Sequence, residues 1–376
     1  MSRKVVVVFG TRPEAIKLAP VIRELEARRD RFITTVVTTS QHREILQQVL
    51  HQLEIHTDFD IDIMREDQTL HYIVGAAVPK LGEVFAHTKP DIVIVQGDTS
   101  TAFAAALAAF YSKVTVCHVE AGLRTYRRNA PFPEEINRQL LARLTDLHFA
   151  PTEIARANLL REGIPEETIL VTGNTGVDAL LWMVQKIRSS KFAVPDLPAL
   201  SNGSRLLLVT CHRRESFGGD FQEICAALGD VAGLYQDVEI IYPVHPNPNV
   251  FGPAHLLLGD TPRIHLTRPL DYQTFIFMMM KAYLLLTDSG GVQEEAPVLG
   301  KPILVLRQAT ERPEAVEAGV AKVVGARRED IVRETVRLLE DPAAYREMSS
   351  PCSPFGDGKA SKRIVDRLEG LAKSSP

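Results

Sequence analysis

Three acidic residues occupy positions where an α/β protein could use them for proton transfer. Asp98 follows the apolar run of residues 92–96, and Glu120 follows the next run, residues 114–119. Neighbouring strands of a parallel sheet end at one edge, so these two carboxylates are expected to face the same cleft. Glu134 comes after two prolines, directly before a predicted helix. Carboxylates that converge on one cleft push their proton affinities apart, as acid and base catalysis near neutral pH requires.

Each of these carboxylates also has a structural interpretation. One could cap a helix, one could pair with Arg124, and one could simply belong to the first turn of a helix. For any single residue the structural interpretation is favoured. The presence of all three at strand or helix ends favours a catalytic cleft.

Two loops carry groups that suit a phosphate. Arg12 and Lys17 lie at the start of the helix that follows residues 5–9, where free N–H groups and a partial positive charge attract anions. In the second loop, the backbone of Ser289, Gly290 and Gly291 could hold a pyrophosphate while Glu295 accepts ribose hydroxyls. A capped helix with surface cations and a glycine-rich turn with a capping carboxylate are the respective alternatives.

Histidines at two further strand ends complete the candidates. His212 follows residues 206–210 and precedes two arginines, which suits a donor or charge stabiliser for a leaving phosphate. His245 follows the next predicted strand, and for both a structural role stays open. The eleven histidines include no H-E-x-x-H or other tight spacing, so no metal site is predicted. The chain also lacks G-x-G-x-x-G and G-x-x-x-x-G-K-[ST], which counts against a nicotinamide enzyme and an NTPase.

Short apolar runs that alternate with amphipathic stretches must position these residues. The alternation predicts parallel sheets with helices on both faces. Residues 189–204, rich in serine and proline, are predicted to form a linker. We therefore expect an α/β fold with two doubly wound domains that face each other, residues 1–188 and 205–355, and a helix in residues 356–376 that crosses back to the first domain.

Composition sets the class of protein. The chain has 376 residues, 45% of them hydrophobic and 24% charged, and a formal net charge of −4. These values indicate two or three globular domains and exclude disordered, collagen-like and disulfide-stabilised classes. The absence of long runs of one charge indicates neither a nucleic acid nor a membrane as partner.

The cysteines and the N-terminus indicate the compartment. The cysteines have no C-x-x-C spacing, which fits a reducing compartment and argues against a thiolate zinc site. The first apolar run, residues 5–9, is too short for a signal peptide or a membrane span. We expect a cytoplasmic protein. The four cysteines are Cys117, Cys211, Cys225 and Cys352.

Eight short runs follow one another along nearly the whole chain. They are residues 10–15 (GTRPEA), 41–44 (QHRE), 97–99 (GDT), 118–124 (HVEAGLR), 133–135 (PEE), 212–215 (HRRE), 288–297 (DSGGVQEEAP) and 310–315 (TERPEA). Each run is modestly specific. As an ordered set they resemble the non-hydrolysing UDP-N-acetylglucosamine 2-epimerases of bacteria.

The resemblance implies a fold and a reaction. The fold would be GT-B-like, with two Rossmann-like domains, the active site in the cleft between them, and usually a homodimer. The reaction would be reversible epimerisation at carbon 2 of the sugar, which gives UDP-N-acetylmannosamine for surface polysaccharide. It would proceed by anti elimination of UDP to a bound 2-acetamidoglucal and re-addition of UDP, with neither nicotinamide nor metal.

The resemblance also implies roles for residues. Asp98, Glu120 and Glu134 would be the acid/base set, and His212 would support the UDP leaving group. Positions that match family contacts to UDP phosphate, ribose or nearby groups are Arg12, Lys17, Ser289, Gly290, Gly291, Glu295 and Arg312. Positions that match a second, activating UDP-N-acetylglucosamine are Gln41, Gln68, Arg213 and His245.

The chain departs from the family pattern at three positions. Asp67 stands where strongly activated members often carry arginine, and an acidic residue repels a diphosphate. Gln96 replaces a common histidine, and Cys211 replaces a small residue. A hydrolysing 2-epimerase, a GT-B glycosyltransferase and a nucleotide-sugar-binding regulator are the alternative functions.

Overall fold

The computed structural model of the protein describes residues 2–39, 43–63, 65, 68–190, 198, 200–201 and 203–371. The chain forms two compact units. Unit 1 contains Met1–Leu181 and Phe355–Pro376, and unit 2 contains Trp182–Pro354. The predicted linker, residues 189–204, lies largely outside the described residues.

Unit 1 is built on a parallel sheet with seven strands in the described part of the chain, in the order β3-β2-β1-β4-β5-β6-β7. The strands are β1 Arg3–Phe9, β2 Phe32–Thr38, β3 Phe59–Asp60, β4 Ile92–Gln96, β5 Thr115–Val119, β6 Leu147–Ala150 and β7 Ile169–Val171. The helices are α1 Arg12–Glu26, α2 Arg43–Leu53, α3 Leu70–Thr88, α4 Ser100–Tyr111, α5 Glu134–Leu144, α6 Glu153–Arg161 and α7 Thr175–Ser189, which continues into unit 2.

Unit 2 has a parallel sheet with six strands among the described residues, in the order β10-β9-β8-β11-β12-β13. The strands are β8 Arg205–Thr210, β9 Val238–Pro243, β10 Ile264–Thr267, β11 Leu284–Thr287, β12 Ile303–Val305 and β13 Ala321–Val323. The helices are α8 Gly219–Leu234, α9 Pro248–Leu258, α10 Tyr272–Lys281, α11 Gly290–Glu295, α12 Pro313–Glu317, α13 Arg328–Glu340 and α14 Pro342–Met348.

The strand sequences explain why both sheets are covered on both faces. The five residues Val5, Val6, Val7, Val8 and Phe9 of β1 are all buried, so no side of this strand faces water. The alanine-rich helix α4 packs between α3 and α5 because its small side chains permit close approach. The expected fold class, two doubly wound parallel-sheet domains, is confirmed.

The last helix, α15 Ala360–Glu369, packs against α1 in unit 1. Arg28, two residues after α1, pairs with Asp366 at 2.7 Å and with Glu369 at 2.9 Å. The first turn of α15 is held by Asp178 of α7, which accepts the backbone N–H of Ser361 at 2.8 Å. The expected return of the C-terminal helix to the first domain is therefore observed.

Each sheet has one point at which the order of its strands reverses. In unit 1 the chain builds outward from β1 to β3 and then returns to β4 on the other side of β1. In unit 2 the same reversal lies between β8 and β11. Ligands of open α/β sheets bind beyond the carboxyl ends of the strands at such points. We call these two places the unit 1 switch point and the unit 2 switch point.

No helix in the described part of the chain combines the length and the apolar character needed to cross a membrane.

Candidate active site

Asp98 and Glu120 lie side by side at the carboxyl edge of the unit 1 sheet. Asp98 follows β4 and Glu120 follows β5. The two strands are paired in parallel, with Gln96 opposite Val119. The structure thus places both carboxylates at neighbouring strand ends, as the sequence predicted. The third, Glu134, is the first residue of α5 and is half-buried.

The loop that carries Asp98 is held on several sides. Arg138 of α5 donates from Nε to Asp98 Oδ2 at 2.7 Å, and the Asn137 amide donates to the Asp98 carbonyl at 2.9 Å. Gly97 has φ +71°, a left-handed conformation that favours glycine. Its carbonyl lies 2.7 Å from His118 Nε2. These contacts orient the Asp98 carboxylate on a constrained backbone.

His118 supports this loop as a neutral imidazole. It is fully buried on β5, and burial lowers its pKa to about 4. A neutral ring that approaches a carbonyl with Nε2 carries its proton there, so Nε2 donates to Gly97. Nδ1 finds no hydrogen-bond partner among the residues that the structure describes. His118 therefore acts as a fixed donor below the Asp98 loop.

Glu120 combines an uncommon backbone with a cation. Its φ is +67°, in the left-handed region that residues other than glycine seldom occupy. Such conformations concentrate at functional sites. The Nζ of Lys17 on α1 forms an ion pair with Glu120 Oε2, and both side chains are largely buried. Lys17, predicted to meet a phosphate, lies in this structure against a candidate acid/base group.

Glu14 is a residue of this site that the sequence reasoning missed. It is 1% exposed, and burial raises its pKa although four hydrogen bonds act in the opposite direction. The sequence Thr11-x-x-Glu14 matches the capping box of α1. This local pattern could have predicted the contacts of Glu14 with Thr11. The bond of Glu14 to Thr99, in the loop after β4, had no such signal. Arg12, beside it, is exposed at the first position of α1.

Glu134 and its neighbour Glu135 have different environments. Glu135 is fully buried and accepts the backbone N–H groups of Thr125 at 2.9 Å and Tyr126 at 3.1 Å. It therefore holds the loop that follows β5. This leaves Glu134, which is more exposed, as the member of the pair that can meet a ligand.

The unit 2 switch point is organised by Asp288. This residue follows β11 and is completely buried. Its Oδ2 accepts the backbone N–H of His212 at 2.6 Å and of Arg213 at 2.7 Å. Its Oδ1 has no hydrogen-bond partner among the described residues and lies 3.8 Å from His212 Nδ1. Sequence reasoning quoted Asp288 within a motif but assigned it no role.

The rings of His212 and His245 are stacked. They follow the adjacent strands β8 and β9, and their centroids are 5.2 Å apart with planes 16° from parallel. The structure thus joins a predicted catalytic residue and two predicted effector residues, Arg213 and His245, on one edge of unit 2. Next to them, burial keeps the pKa of Cys211 well above its usual value, so this side chain stays a thiol.

The glycine-rich loop of unit 2 receives a buried arginine. Arg312 is 7% exposed, and its Nε donates to Glu294 of α11 at 2.5 Å. A Cβ at Gly290 would lie 3.3 Å from Arg312 Nη2, so a glycine lets the guanidinium approach the start of α11. Ser289 is the N-cap residue of α11, and Glu295 is its last residue. Gly290 is therefore the predicted ligand-binding position beside Arg312, and Ser289, Gly291 and Glu295 belong to the same loop and helix.

The remaining predicted effector positions are Gln41 and Gln68. Gln41 lies outside the described residues, as does Asp67. Gln68 lies in unit 1, just before α3, and its Oε1 is buried without a partner among the described residues. Within the described ranges, no group of three histidine, cysteine, aspartate or glutamate side chains could hold a metal ion.

Two doubly wound units with charged groups at their switch points define a two-domain α/β protein of the GT-B type. A glycosyltransferase of kitacinnamycin, 14% identical over 98% of this chain and 99% of its own, shares this fold with a TM-score of 0.66. At that identity the likeness concerns the fold alone.

Known proteins identify the family. Residues 23–369 match the family model for UDP-N-acetylglucosamine 2-epimerase. The chain is 48% identical to the UDP-N-acetylglucosamine 2-epimerase of Campylobacter jejuni over 98% of each chain. It is 49% identical to that of Escherichia coli strain K12, over 97% of this chain and 98% of the relative.

A solved structure agrees with these relatives. The UDP-GlcNAc 2-epimerase of Neisseria meningitidis bound to UDP-GlcNAc matches with a TM-score of 0.93 and 46% identity, covering 97% of this chain and 99% of the other. The chain belongs to the UDP-N-acetylglucosamine 2-epimerase family, a family of isomerases. The resemblance drawn from the motifs is confirmed.

Proposed function

We propose that this enzyme reversibly epimerises UDP-N-acetylglucosamine at carbon 2 to UDP-N-acetylmannosamine without hydrolysis. A base takes the carbon 2 proton, and the C–H electron pair becomes a double bond between carbons 1 and 2. The bond from carbon 1 to the UDP oxygen breaks anti to that proton, and UDP keeps the electron pair. A proton then reaches carbon 2 of the bound 2-acetamidoglucal from the opposite face, and UDP adds back to carbon 1.

The observation that carries the proposal is a pair of carboxylates in unit 1. One lies at the end of β4, at the switch point, and the other at the end of the adjacent strand β5. Asp98 and Glu120 follow two hydrogen-bonded parallel strands, and each is paired with a cation, Arg138 or Lys17. Removal of a proton from one face of carbon 2 and its return to the other face require two proton-transfer groups at one site. Family membership supports the substrate, because the relatives named above are epimerases of UDP-N-acetylglucosamine.

The other residues receive supporting roles in the proposal. Glu134 completes the acid/base set, and the two directions of reaction exchange the roles of acid and base. His212 supports the departing UDP, since a donor aimed at developing negative charge lowers the barrier. The groups proposed to hold phosphate, ribose or nearby atoms are Arg12, Lys17, Ser289, Gly290, Gly291, Glu295 and Arg312.

The proposal extends to assembly, regulation and location. We place the enzyme in the cytoplasm as a homodimer that supplies surface polysaccharide synthesis. A second UDP-N-acetylglucosamine would activate it through Gln41, Gln68, Arg213 and His245. Substrate titration of the initial rate tests this activation: a sigmoidal curve supports it and a hyperbolic curve contradicts it.

Proton NMR of UDP-N-acetylglucosamine with the purified protein in deuterium oxide tests the reaction. We expect the carbon 2 proton signal to disappear while UDP-N-acetylmannosamine accumulates to a fixed ratio, without added nicotinamide or metal. Free N-acetylmannosamine with stoichiometric UDP would instead indicate a hydrolysing epimerase. An unchanged spectrum would contradict the proposal and favour an acceptor-dependent glycosyltransferase or a binding protein.

A further inference from the structure

We propose that Glu14 is a positioning residue whose buried carboxylate couples the loop after β1 to the loop after β4, and thereby sets the place of Asp98. The inference rests on the proposed function, because it concerns a carboxylate that the proposal uses for proton transfer. Glu14 itself is not proposed to touch the substrate. Its action on the reaction passes through Thr99, the residue next to Asp98.

The contacts of Glu14 run in two directions. Its Oε2 accepts the N–H of Gly10 at 3.0 Å, the N–H of Thr11 at 2.8 Å and the hydroxyl of Thr11 at 2.7 Å. Its Oε1 accepts the hydroxyl of Thr99 at 2.6 Å. One carboxylate therefore fastens two loops that follow neighbouring strands, β1 and β4.

A helix cap alone does not explain this arrangement. Thr152 caps α6 by accepting the N–H of Ala155 at 3.2 Å, and among the described residues it bonds no buried carboxylate. Thr99 caps α4 in the same way, by accepting the N–H of Ala102 at 3.0 Å. In addition, its hydroxyl donates a hydrogen bond to Glu14. Burying a carboxylate is unfavourable unless its hydrogen bonds compensate, as the raised pKa of Glu14 reflects. The extra contact therefore serves the link between the loops.

The same helix also reaches the second carboxylate. Glu14 and Lys17 are three residues apart on α1, so their side chains leave one face of the helix. Glu14 contacts the loop of Asp98, and Lys17 contacts Glu120 itself. The first turns of α1 thus set both candidate acid/base groups relative to each other. A displacement of about 1 Å between such groups is enough to lower a rate roughly 10²-fold.

Thr99→Val tests the link, with Thr99→Ser and Thr152→Val as matched controls. Valine keeps the shape of the side chain but removes the hydroxyl group that donates a hydrogen bond to Glu14. We expect kcat for UDP-N-acetylglucosamine to fall roughly 10- to 100-fold with KM changed by less than about threefold, because positioning rather than binding is lost. Thr99→Ser should restore kcat to within about threefold. Thr152→Val loses the same kind of cap and should retain kcat.

A second pair of variants separates the link from the charge. In Glu14→Gln the amide oxygen can accept the bonds from Gly10 and Thr11, while the amide nitrogen can donate to Thr99, whose hydroxyl also accepts. Glu14→Ala removes every contact. We expect the glutamine variant to keep most of kcat and the alanine variant to lose it. Equal losses in both variants, or a Thr99→Val enzyme as active as Thr152→Val, would overturn the inference.

Amide hydrogen exchange gives a readout that does not need activity. If Glu14 links the loops, Thr99→Val should speed exchange at the N–H groups of Gly10 and Thr11, far away in sequence. A lost cap would affect only the first turn of α4, and that result would contradict the inference even if the wild-type protein proved inactive. An inactive wild-type protein with faster exchange at Gly10 and Thr11 would overturn the proposed function and keep the link.

Discussion

The two switch points solve one structural problem in different ways. Both place a buried carboxylate between the ends of neighbouring strands: Glu14 beside β1 and β4, and Asp288 beside β8 and β11. Glu14 comes from a helix and bonds two backbone N–H groups and two hydroxyls. Asp288 comes from the end of a strand and accepts two backbone N–H groups, those of His212 and Arg213.

The difference concerns what each switch point presents. In unit 1 the strand ends carry acids, Asp98 and Glu120, each paired with a cation from a helix. In unit 2, His212 and Arg213 follow β8, and their backbone N–H groups are held by Asp288. Arg312 lies against Gly290, in the loop that follows β11. Paired carboxylates suit proton transfer, and arginine with helix N–H groups suits anions. We therefore propose proton transfer for the carboxylates of unit 1 and anion binding for the switch point of unit 2.

The largest expected effect tests the assignment of unit 1. Asp98→Asn, Glu120→Gln and Glu134→Gln should each lower turnover by roughly 10²-fold or more, because each removes a proton-transfer group. Loss of the carbon 2 proton signal measures turnover, and calorimetry with UDP measures binding, which should change less. Asp146→Asn is the matched control, since that carboxylate accepts the Val116 N–H at 2.8 Å at the opposite end of the strands. Retained turnover in all three variants would remove the assignment.

The next effect tests unit 2. Asp288→Ala leaves two backbone N–H groups without their acceptor, and a hydrogen bond to a charged group contributes about 1.5–3 kcal/mol. We expect UDP affinity to fall about tenfold or more, while Asp288→Asn, which keeps an acceptor oxygen, loses less. Asp341→Ala is the control, because Asp341 also accepts two backbone N–H groups, at 2.8 and 3.1 Å, at the start of α14. Equal UDP affinities in the alanine and asparagine variants and the wild type would break the comparison.

A smaller effect depends on pH and concerns His118. Its folded pKa of about 4 lies below the ordinary value of 6.5, so between these values the unfolded chain binds a proton that the folded chain does not. Above pH 6.5 this difference does not reduce the free energy of unfolding. As pH falls from 6.5 toward 4, the free energy of unfolding decreases by about 1.4 kcal/mol per pH unit. His118→Gln, which can still donate from an amide, should show a flatter decline in urea unfolding experiments. Parallel profiles for the two proteins would contradict this account.

The smallest expected effect lies away from both switch points. Arg28→Ala removes the ion pairs of Arg28 with Glu24 of α1 and with Asp366 and Glu369 of α15, whose side chains are 29–46% exposed. Exposed pairs contribute about 1 kcal/mol or less. Urea unfolding should show a loss in that range, with turnover unchanged. A loss above about 3 kcal/mol would show that the α1–α15 contact matters as much as the buried carboxylates.

Part of the fold was predictable because its signals are local. The apolar runs at residues 92–96 and 114–119 closely match β4 and β5, since a buried parallel strand reads as a continuous apolar segment. Two short strands of unit 1 escaped the pattern. The strand β3 has two residues and β6 has four, too few to display a period. The C-terminal helix was predicted as an element that returns to the first domain, whereas its contact with α1 was not predicted.

The sequence by itself determined which residues stand at the strand ends, because chain order and the apolar pattern place Asp98, Glu120 and His212 there. It also determined the family, through the order of its motifs. Only the tertiary structure decided the partners: Thr99 for Glu14, Lys17 for Glu120 and Asp288 for the His212 backbone. These pairs are 76–103 residues apart in the chain. Local patterns describe only near neighbours, and such contacts arise when packing of the sheet brings separate strand ends together.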